Sequence, residues 1–336
     1  MKYRVSLLEG DGIGPGITRA TCRILNAAGA PIEWEKVPAG VRAVEEYGVP
    51  MPEITLKSIR RNRLGLKGPL MTPKGKGFRS ANVTLRQRLN LYVGLRPVQS
   101  LPGIKTNYKD VDLIVLRENT EGLYSGIEHS LKDGTVITVK TSTNAAGERI
   151  SKWAYEYMRY NGRRKMHCCH KASVVPMADG AFLDAFHSIG ASYPYIEKQD
   201  IFVDNLAMAL AMDPHHFDVL LLQNLYGDII SDATAGLVGG LGVVPGANVG
   251  DQIAVFEAVH GTAPDIAGKG IANPMAVLRS ALLMLEYVGE QKIAANIQRA
   301  MCDVLEEGRY LTGDLIEDKS KAVGTDTFAD AIIDKL

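Results

Sequence analysis

Short apolar, β-prone runs alternate with amphipathic stretches along nearly the whole chain. Apolar runs bounded by polar or turn residues predict strands over 3–9, 31–37, 63–67, 91–97, 111–117, 165–170, 194–203, 217–222 and 253–257. Helical spacing predicts helices near 16–28, 52–60, 80–89, 144–160, 178–188, 205–211, 224–237, 274–287, 290–307 and 325–335. Such alternation predicts an α/β architecture, with sheet layers covered by helices. The stretch 124–143 departs from it. Asp133-Gly134 between β-prone flanks predicts a hairpin, either an arm clasping a second copy or a surface loop.

The opening glycines imitate a dinucleotide fingerprint without meeting its register. Gly10-x-Gly12 would need glycine at 15, where Pro15 stands, and Gly12-x-Gly14 would need one at 17, where Ile17 stands. These glycines instead predict a tight strand-to-helix turn.

Composition narrows the class. A length of 336 residues, 46% of them hydrophobic, suits a soluble protein with one large or two medium cores. Lys+Arg and Asp+Glu both number 38, so net charge offers no pull on nucleic acid or an anionic membrane. No apolar stretch approaches the ~20 residues of a membrane span. Met1 leads at once into strand-like Tyr3 to Leu8, so no secretory signal is expected and a cytoplasmic location is. Cys22, Cys168, Cys169 and Cys302 show no C-x-x-C spacing and read as reduced, buried small residues. In His167-Cys168-Cys169-His170, strand alternation would send neighbouring side chains to opposite faces, which argues against zinc.

Candidate chemistry gathers where predicted strands end. Asp228 and Asp232 follow the apolar run Asp218-Val-Leu-Leu-Leu-Gln223, and a spacing of four stacks them on one helix face. Two like charges side by side repel. They point either to a hard divalent cation or to a solvated acidic face. Arg86, Arg96 and Arg117 lie in a predicted helix and at two strand ends, where ligand crevices of open sheets form. Guanidinium groups there suit a substrate with several carboxylates, or are ordinary surface arginines. Tyr124 follows the Arg117 turn, and Lys171 follows the predicted strand 165–170; both are candidates for proton transfer. The loop from Phe256 to Pro274 is too rich in Gly, Ala and Pro for a core element. It would let a flat ligand lie on the backbone, with His260 and Asn273 at its edge and Asp265 near a ribose.

Taken in order, Gly10-Asp-Gly-Ile-Gly-Pro15, Arg79-Ser-Ala-Asn82, Arg117-Glu-Asn-Thr-Glu-Gly122, His170-Lys171, Val203-Asp-Asn205, Asn224-Leu-Tyr-Gly-Asp228, Gly236-Leu-Val-Gly-Gly240 and His260-Gly-Thr-Ala-Pro264 resemble the β-decarboxylating dehydrogenases. That family comprises the isocitrate, homoisocitrate and isopropylmalate dehydrogenases. The resemblance covers nearly the whole chain. Leu66-Lys-Gly-Pro-Leu-Met-Thr-Pro73 and Ser100-Leu-Pro-Gly103 look most like the NAD-dependent, isocitrate-oxidising branch.

The resemblance implies an isocitrate/isopropylmalate dehydrogenase-like fold, a two-domain α/β/α sandwich with a projecting hairpin arm, not an ordinary Rossmann fold. It implies a discontinuous cofactor-binding domain, residues 1–98 plus 237–336, and a smaller domain, 99–236, carrying the arm. By similarity Ser80 and Asn82 contact the isocitrate-specific carboxylate, while Arg86, Arg96 and Arg117 hold the others. Tyr124 and Lys171 match the catalytic pair, and Asp204, Asp228 and Asp232 the ligands of Mg²⁺ or Mn²⁺. Thr72, His260, Gly261, Thr262, Ala263, Asp265, Ile266 and Asn273 match the NAD site. The acidic Asp265 would repel the extra phosphate of NADP. Lys171 and Asp204 would face a neighbouring subunit's site, so a homodimer or higher homo-oligomer is expected. The alternatives are homoisocitrate or 3-isopropylmalate as substrate, or a regulatory subunit without turnover. Two positions depart from the family pattern: Gly16 replaces an acidic residue, and Ser173 an asparagine.

Overall fold

The computed structural model describes residues 2–71 and 79–336. The ten strands of its main sheet are, in chain order, β1 (Tyr3–Leu8), β2 (Ile32–Lys36), β3 (Leu64–Lys67), β4 (Val93–Gln99) and β5 (Asp112–Glu118), then five more after the hairpin. The hairpin is β6 (Gly122–Ser130) and β7 (Val136–Thr141). The sheet resumes with β8 (Lys165–His170), β9 (Glu197–Phe202), β10 (Val219–Leu222), β11 (Pro245–Val249) and β12 (Ala254–Ala258). Its spatial order is β2-β1-β3-β12-β11-β4-β5-β10-β8-β9. The two flanks are parallel, whereas β12, β11, β4 and β5 pair antiparallel at the centre. Parallel flanks need crossover helices, which the chain supplies on both faces.

The first helices are α1 (Gly14–Ala27), α2 (Val41–Tyr47), α3 (Glu53–Asn62) and α4 (Ala81–Arg88). The middle of the chain adds α5 (Asn144–Asn161), α6 (Pro176–Gly190), α7 (Val203–Met212) and α8 (Asn224–Leu237). Last come α9 (Met275–Tyr287), α10 (Gln291–Glu307) and α11 (Thr325–Ile333). Strand alternation sorts them. Val5 and Leu7 join the core that holds Ile17 and Ile24 of α1, while Leu8 packs with Leu56 and Ile59 of α3 on the other face. Ten of the thirteen residues of α9 are buried, which makes it the central helix beneath β11 and β12.

The predicted strands all form, as do the predicted helices. Among the described residues, one strand, one α-helix and two short 3-10 turns (Pro214–His216 and Lys319–Lys321) lie outside the sequence-based expectation. β11 is written Pro245-Gly-Ala-Asn-Val249, without β-branched or aromatic residues before its last position, and it is held by its two antiparallel neighbours. α2 is a short helix of seven residues between Gly40 and Gly48. The opening glycines make the expected turn: Gly10 has φ +83°, and a Cβ there would meet the Pro69 carbonyl oxygen at 2.4 Å. Between them Asp11 accepts hydrogen bonds from the Val41 and Met71 amides, at 3.0 and 2.7 Å. Cys168 and Cys169 are buried, while Cys22 and Cys302 are only half-buried; all four are free thiols.

Candidate active site

Arg96 on β4 and Glu257 on β12 point to the α3 side of the sheet and meet there. Glu257, 3% exposed, accepts from Lys67 Nζ at 2.9 Å, Arg86 Nη2 at 3.0 Å, Arg96 Nη2 at 3.0 Å and Asn248 Nδ2 at 2.7 Å. Burial alone would raise its carboxyl, but the three cations and the Asn248 amide hold it well below the carboxylate range. Burial lowers the Arg96 guanidinium to about 10, which leaves it charged at neutral pH. Lys67 lies in the stretch Leu66–Pro73 and Glu257 in the loop from Phe256 to Pro274, but nothing in the sequence assigns either a role at the site. Both sit inside apolar strands, where a charge signals a paired network rather than a surface.

Next along the cavity, Arg117 at the end of β5 donates to Asn224 Oδ1 from Nε and Nη2, at 3.0 and 2.6 Å, and to Asp228 from Nη1. Its side chain passes so close to α8 that a Cβ at Gly227 would lie 2.6 Å from Arg117 Cγ. Tyr124 donates its hydroxyl to Asp228 Oδ2, and Arg117 lies 5.1 Å from the Tyr124 ring centroid. Burial and the Asp228 hydrogen bond both raise the Tyr124 phenol. Asp232, one turn beyond Asp228 on α8, is exposed at the cavity mouth and accepts no hydrogen bond among the described residues. Partial desolvation, then Asp228, raises its carboxyl. The cavity these groups enclose measures about 240 Å³ and also takes in Ser80 and Asn82 at the start of α4. Asn82 Oδ1 and Arg86 Nε are buried without a partner among the described residues.

Thus Ser80, Asn82, Arg86, Arg96, Arg117, Tyr124, Asp228 and Asp232 come together. Lys171 and Asp204 do not line that cavity. Lys171 follows β8 and donates from Nζ to Asp204 Oδ1 at 2.5 Å; the Asp204 side chain is 61% exposed. The Lys171 main chain is anchored on Asp179 Oδ2 at 2.7 Å, and fully buried Asp179 also binds Lys140 of the arm and the Tyr226 hydroxyl. Ser173, two residues on, is exposed, and its side chain makes no hydrogen bond among the described residues. Among the described residues of one chain, no three His, Cys, Asp or Glu side chains form a group able to hold a metal ion.

A second, larger cavity of about 830 Å³ opens beside the first, with His260 and Gly261 lining both. Ala263, Ile266 and Asn273 also line it. Thr262 is buried behind it, its carbonyl accepting from Ile13 N at 3.0 Å; Asp265 is exposed outside the lining, and Thr72 lies outside the described residues. His260 Nδ1 pairs with the Gly261 carbonyl at 2.9 Å, so Nδ1 carries the proton. That leaves Nε2, buried without a partner, as an acceptor, and burial lowers the ring's pKa and keeps it neutral. Asn273 donates to Asp314 Oδ2 at 2.8 Å and accepts from Met275 N at 2.9 Å. Asp314, which lines the cavity, arrives from the loop after α10, and nothing near it in sequence links it to the His260 loop.

Comparison with known proteins follows the same lines. Residues 4–332 match the family model described as isocitrate/isopropylmalate dehydrogenase. The chain is 48% identical over 314 residues to a probable mitochondrial NAD isocitrate dehydrogenase subunit alpha of Drosophila melanogaster, covering 93% of this chain and 83% of that protein. It is 46% identical over 332 residues to mitochondrial NAD isocitrate dehydrogenase catalytic subunit 5 of Arabidopsis thaliana, covering 98% and 88%. The crystal structure of isocitrate dehydrogenase from Methylococcus capsulatus superposes with a TM-score of 0.95 at 47% identity, over 99% of each chain. The curated relatives named here are mitochondrial, which overturns the expectation of a cytoplasmic protein. That expectation rested on the first residues, which form a sheet strand.

Proposed function

Because the chain belongs to the isocitrate/isopropylmalate dehydrogenase family, we infer that it catalyses the NAD-dependent oxidative decarboxylation of isocitrate to 2-oxoglutarate and CO₂. The observation that carries the substrate is the charge of the 240 Å³ cavity. Lys67, Arg86, Arg96 and Arg117 face Asp228, Asp232 and Glu257, a net charge of +1. A tricarboxylate with one divalent cation adds −1 and closes the balance. Ser80 and Asn82 line the cavity with a hydroxyl and an amide N–H, donors that a carboxylate can accept from and a branched alkyl group cannot.

Asp228 and Asp232 fit a hard cation. They are one helical turn apart, face the cavity, and Asp232 has no hydrogen-bond donor to satisfy it among the described residues. Mg²⁺ or Mn²⁺ held by them, with Asp204 of the partner subunit, would supply Lewis acidity to the substrate oxygens. NAD fits the larger cavity, where neutral His260 offers Nε2 as an acceptor to an adenine amine; NAD supplies the electron acceptor. Ala263 and Ile266 lie along that cavity wall, with Gly261, Thr262 and Asn273 shaping its backbone; Asp265 flanks it and disfavours a 2′-phosphate.

The protein's own steps follow from the side chains. Arg86, Arg96 and Arg117 orient the carboxylates, and their buried network holds them in place before substrate arrives. Lys171 of the partner subunit takes the hydroxyl proton. With the carbinol hydrogen lost as hydride, the hydroxyl carbon becomes a carbonyl; loss of the β-carboxylate as CO₂ then leaves an enolate, which Tyr124 protonates at carbon. A phenol whose pKa is raised keeps its proton at neutral pH and is suited to that task.

A second copy supplies what one chain leaves apart. Exposed apolar side chains cover the face near Asp204: Met208 and Met212 on α7, 59% and 74% exposed, and Ile229 on α8. The arm likewise exposes Val136, Ile137 and Val139, and an isolated two-stranded hairpin needs such cover. In this reading residues 1–98 with 237–336 form one lobe, 99–236 the other, and the lobes close over substrate. Comparing kcat/KM for isocitrate, homoisocitrate and 3-isopropylmalate with NAD and Mg²⁺ tests the assignment. Isocitrate should lead by at least about tenfold; preference for either other acid would overturn it.

A further inference from the structure

The sheet that carries the substrate cavity has a second cavity on its opposite face. Along β4, Arg96 points to the substrate side and Leu95 to the other; along β12, Glu257 and Phe256 divide in the same way, and on β11 Asn248 separates Ala247 and Val249. Leu95, Ala247, Val249 and Phe256 thus floor a groove of about 620 Å³, walled by α5 on one side and α9 on the other.

The walls are aromatic and acidic. From α5 come Trp153 and Tyr157, stacked at 5.1 Å between centroids, and Tyr160 beyond them. From α9 comes Tyr287, edge-on to Phe256 at 5.7 Å. Two carboxylates line the groove. Glu156 is committed, accepting from the Tyr193 hydroxyl at 2.6 Å and from Arg159 at 2.7 Å. Glu286 has no hydrogen bond and no ion pair among the described residues, and Arg279, which it feels electrostatically, is buried and donates instead to the Val243 carbonyl. Glu286 lies exposed at the rim of the groove; partial desolvation raises its carboxyl and the charge of Arg279 lowers it.

Ring faces attract cations through their quadrupoles, and an unpaired carboxylate at the edge of such a wall adds a net charge. An apolar floor suits an organic body rather than a hydrated metal ion. We propose that the groove between α5 and α9 binds an organic cation, an ammonium group carried on an aryl or alkyl body, at a site back-to-back with the substrate cavity. The ammonium sits against Trp153, Tyr157 and Glu286, and the body lies on Leu95 and Phe256. This site owes nothing to the assignment of substrate or metal.

Trp153 makes the site observable, because the chain has only one other tryptophan, Trp34 on β2. In the Trp34→Phe full-length protein, Trp153 emission is followed while benzyltrimethylammonium is titrated in, with benzyl alcohol as the uncharged probe. The expected result is a saturable change for the cation and at least about tenfold weaker binding of the alcohol. Glu286→Gln should weaken the cation several-fold and leave the alcohol unaltered. Calorimetry on the unaltered chain makes the same cation-against-alcohol comparison without any substitution. Absence of saturation, equal binding of the two probes, or indifference of the cation to Glu286→Gln with intact circular dichroism would each overturn the proposal.

Discussion

Glu257 and Asp204 are both carboxylates paired with a lysine, yet they belong to opposite physical regimes. Glu257 is sealed in the sheet with Lys67, Arg86 and Arg96, every charge answered within one chain. Asp204 stands in solvent with Lys171, an ion pair of the kind that contributes little to stability and exchanges partners easily. A buried network is costly to assemble but keeps its geometry before any ligand arrives. An exposed pair is easily formed and unfinished. The arginine wall is therefore complete within one subunit, whereas Lys171 and Asp204 stand apart from it, and the proposed function assigns them to a second subunit's site.

Breaking the first regime should have the largest effect on folding. Glu257→Gln leaves three buried cations without their anion and should destabilise by about 3–5 kcal/mol in urea unfolding. Its pH signature has a defined sign. The folded carboxyl titrates well below its unfolded value, so its contribution is complete above the ordinary carboxylate value of about 4.3 and is lost as pH falls further. Glu257→Gln should therefore flatten the acid limb of stability against pH. Breaking the second regime should do the reverse. Lys171→Ala should lower turnover by about 10²–10⁴-fold while the urea midpoint stays within error of the parent.

An intermediate effect probes the cavity that the two regions share. His260→Ala removes the neutral ring whose Nε2 faces the cofactor site, and should raise the Kd for NAD by roughly tenfold with little change in the urea midpoint. The smallest effect calibrates the rest. Gly16 lies in the first turn of α1, which holds no acidic residue, and a Cβ added there would meet nothing within 4 Å. Gly16→Glu should stabilise by about 0.5–1 kcal/mol, seen as a raised Tm, and leave both regions unaltered.

Much of this was legible in the residues alone. Period-two and period-3.6 patterns marked the strands and helices, and strand ends marked Arg117 and Lys171; Arg96, expected at a strand end before Pro97, lies mid-strand because β4 pairs on through Pro97 to Gln99. The arm was legible from Asp133-Gly134, whose side-chain-capped turn closes the hairpin. What escaped was what no local pattern encodes. β11 is a strand because two neighbours pair with it, not because Pro245-Gly-Ala-Asn favours one. Lys67 and Glu257 lie on different strands, joined only by the β3–β12 pairing that sets Lys67 opposite Glu257. Asp314 reaches Asn273 across 41 residues of chain. The compartment was misjudged for a different reason: a strand that packs into the sheet says nothing of where the protein resides.

The proposed chemistry stands or falls on Tyr124 and Lys171 serving one site from two chains. Co-expression of Tyr124→Phe and Lys171→Ala subunits, each inactive by itself, separates this arrangement from a site built within one chain. A mixed dimer would pair an intact Tyr124 with an intact Lys171 in one of its two sites, so the mixture should recover about a quarter of the parent's activity. A mixture as inactive as either variant alone, with mixed dimers present, would refute the shared site.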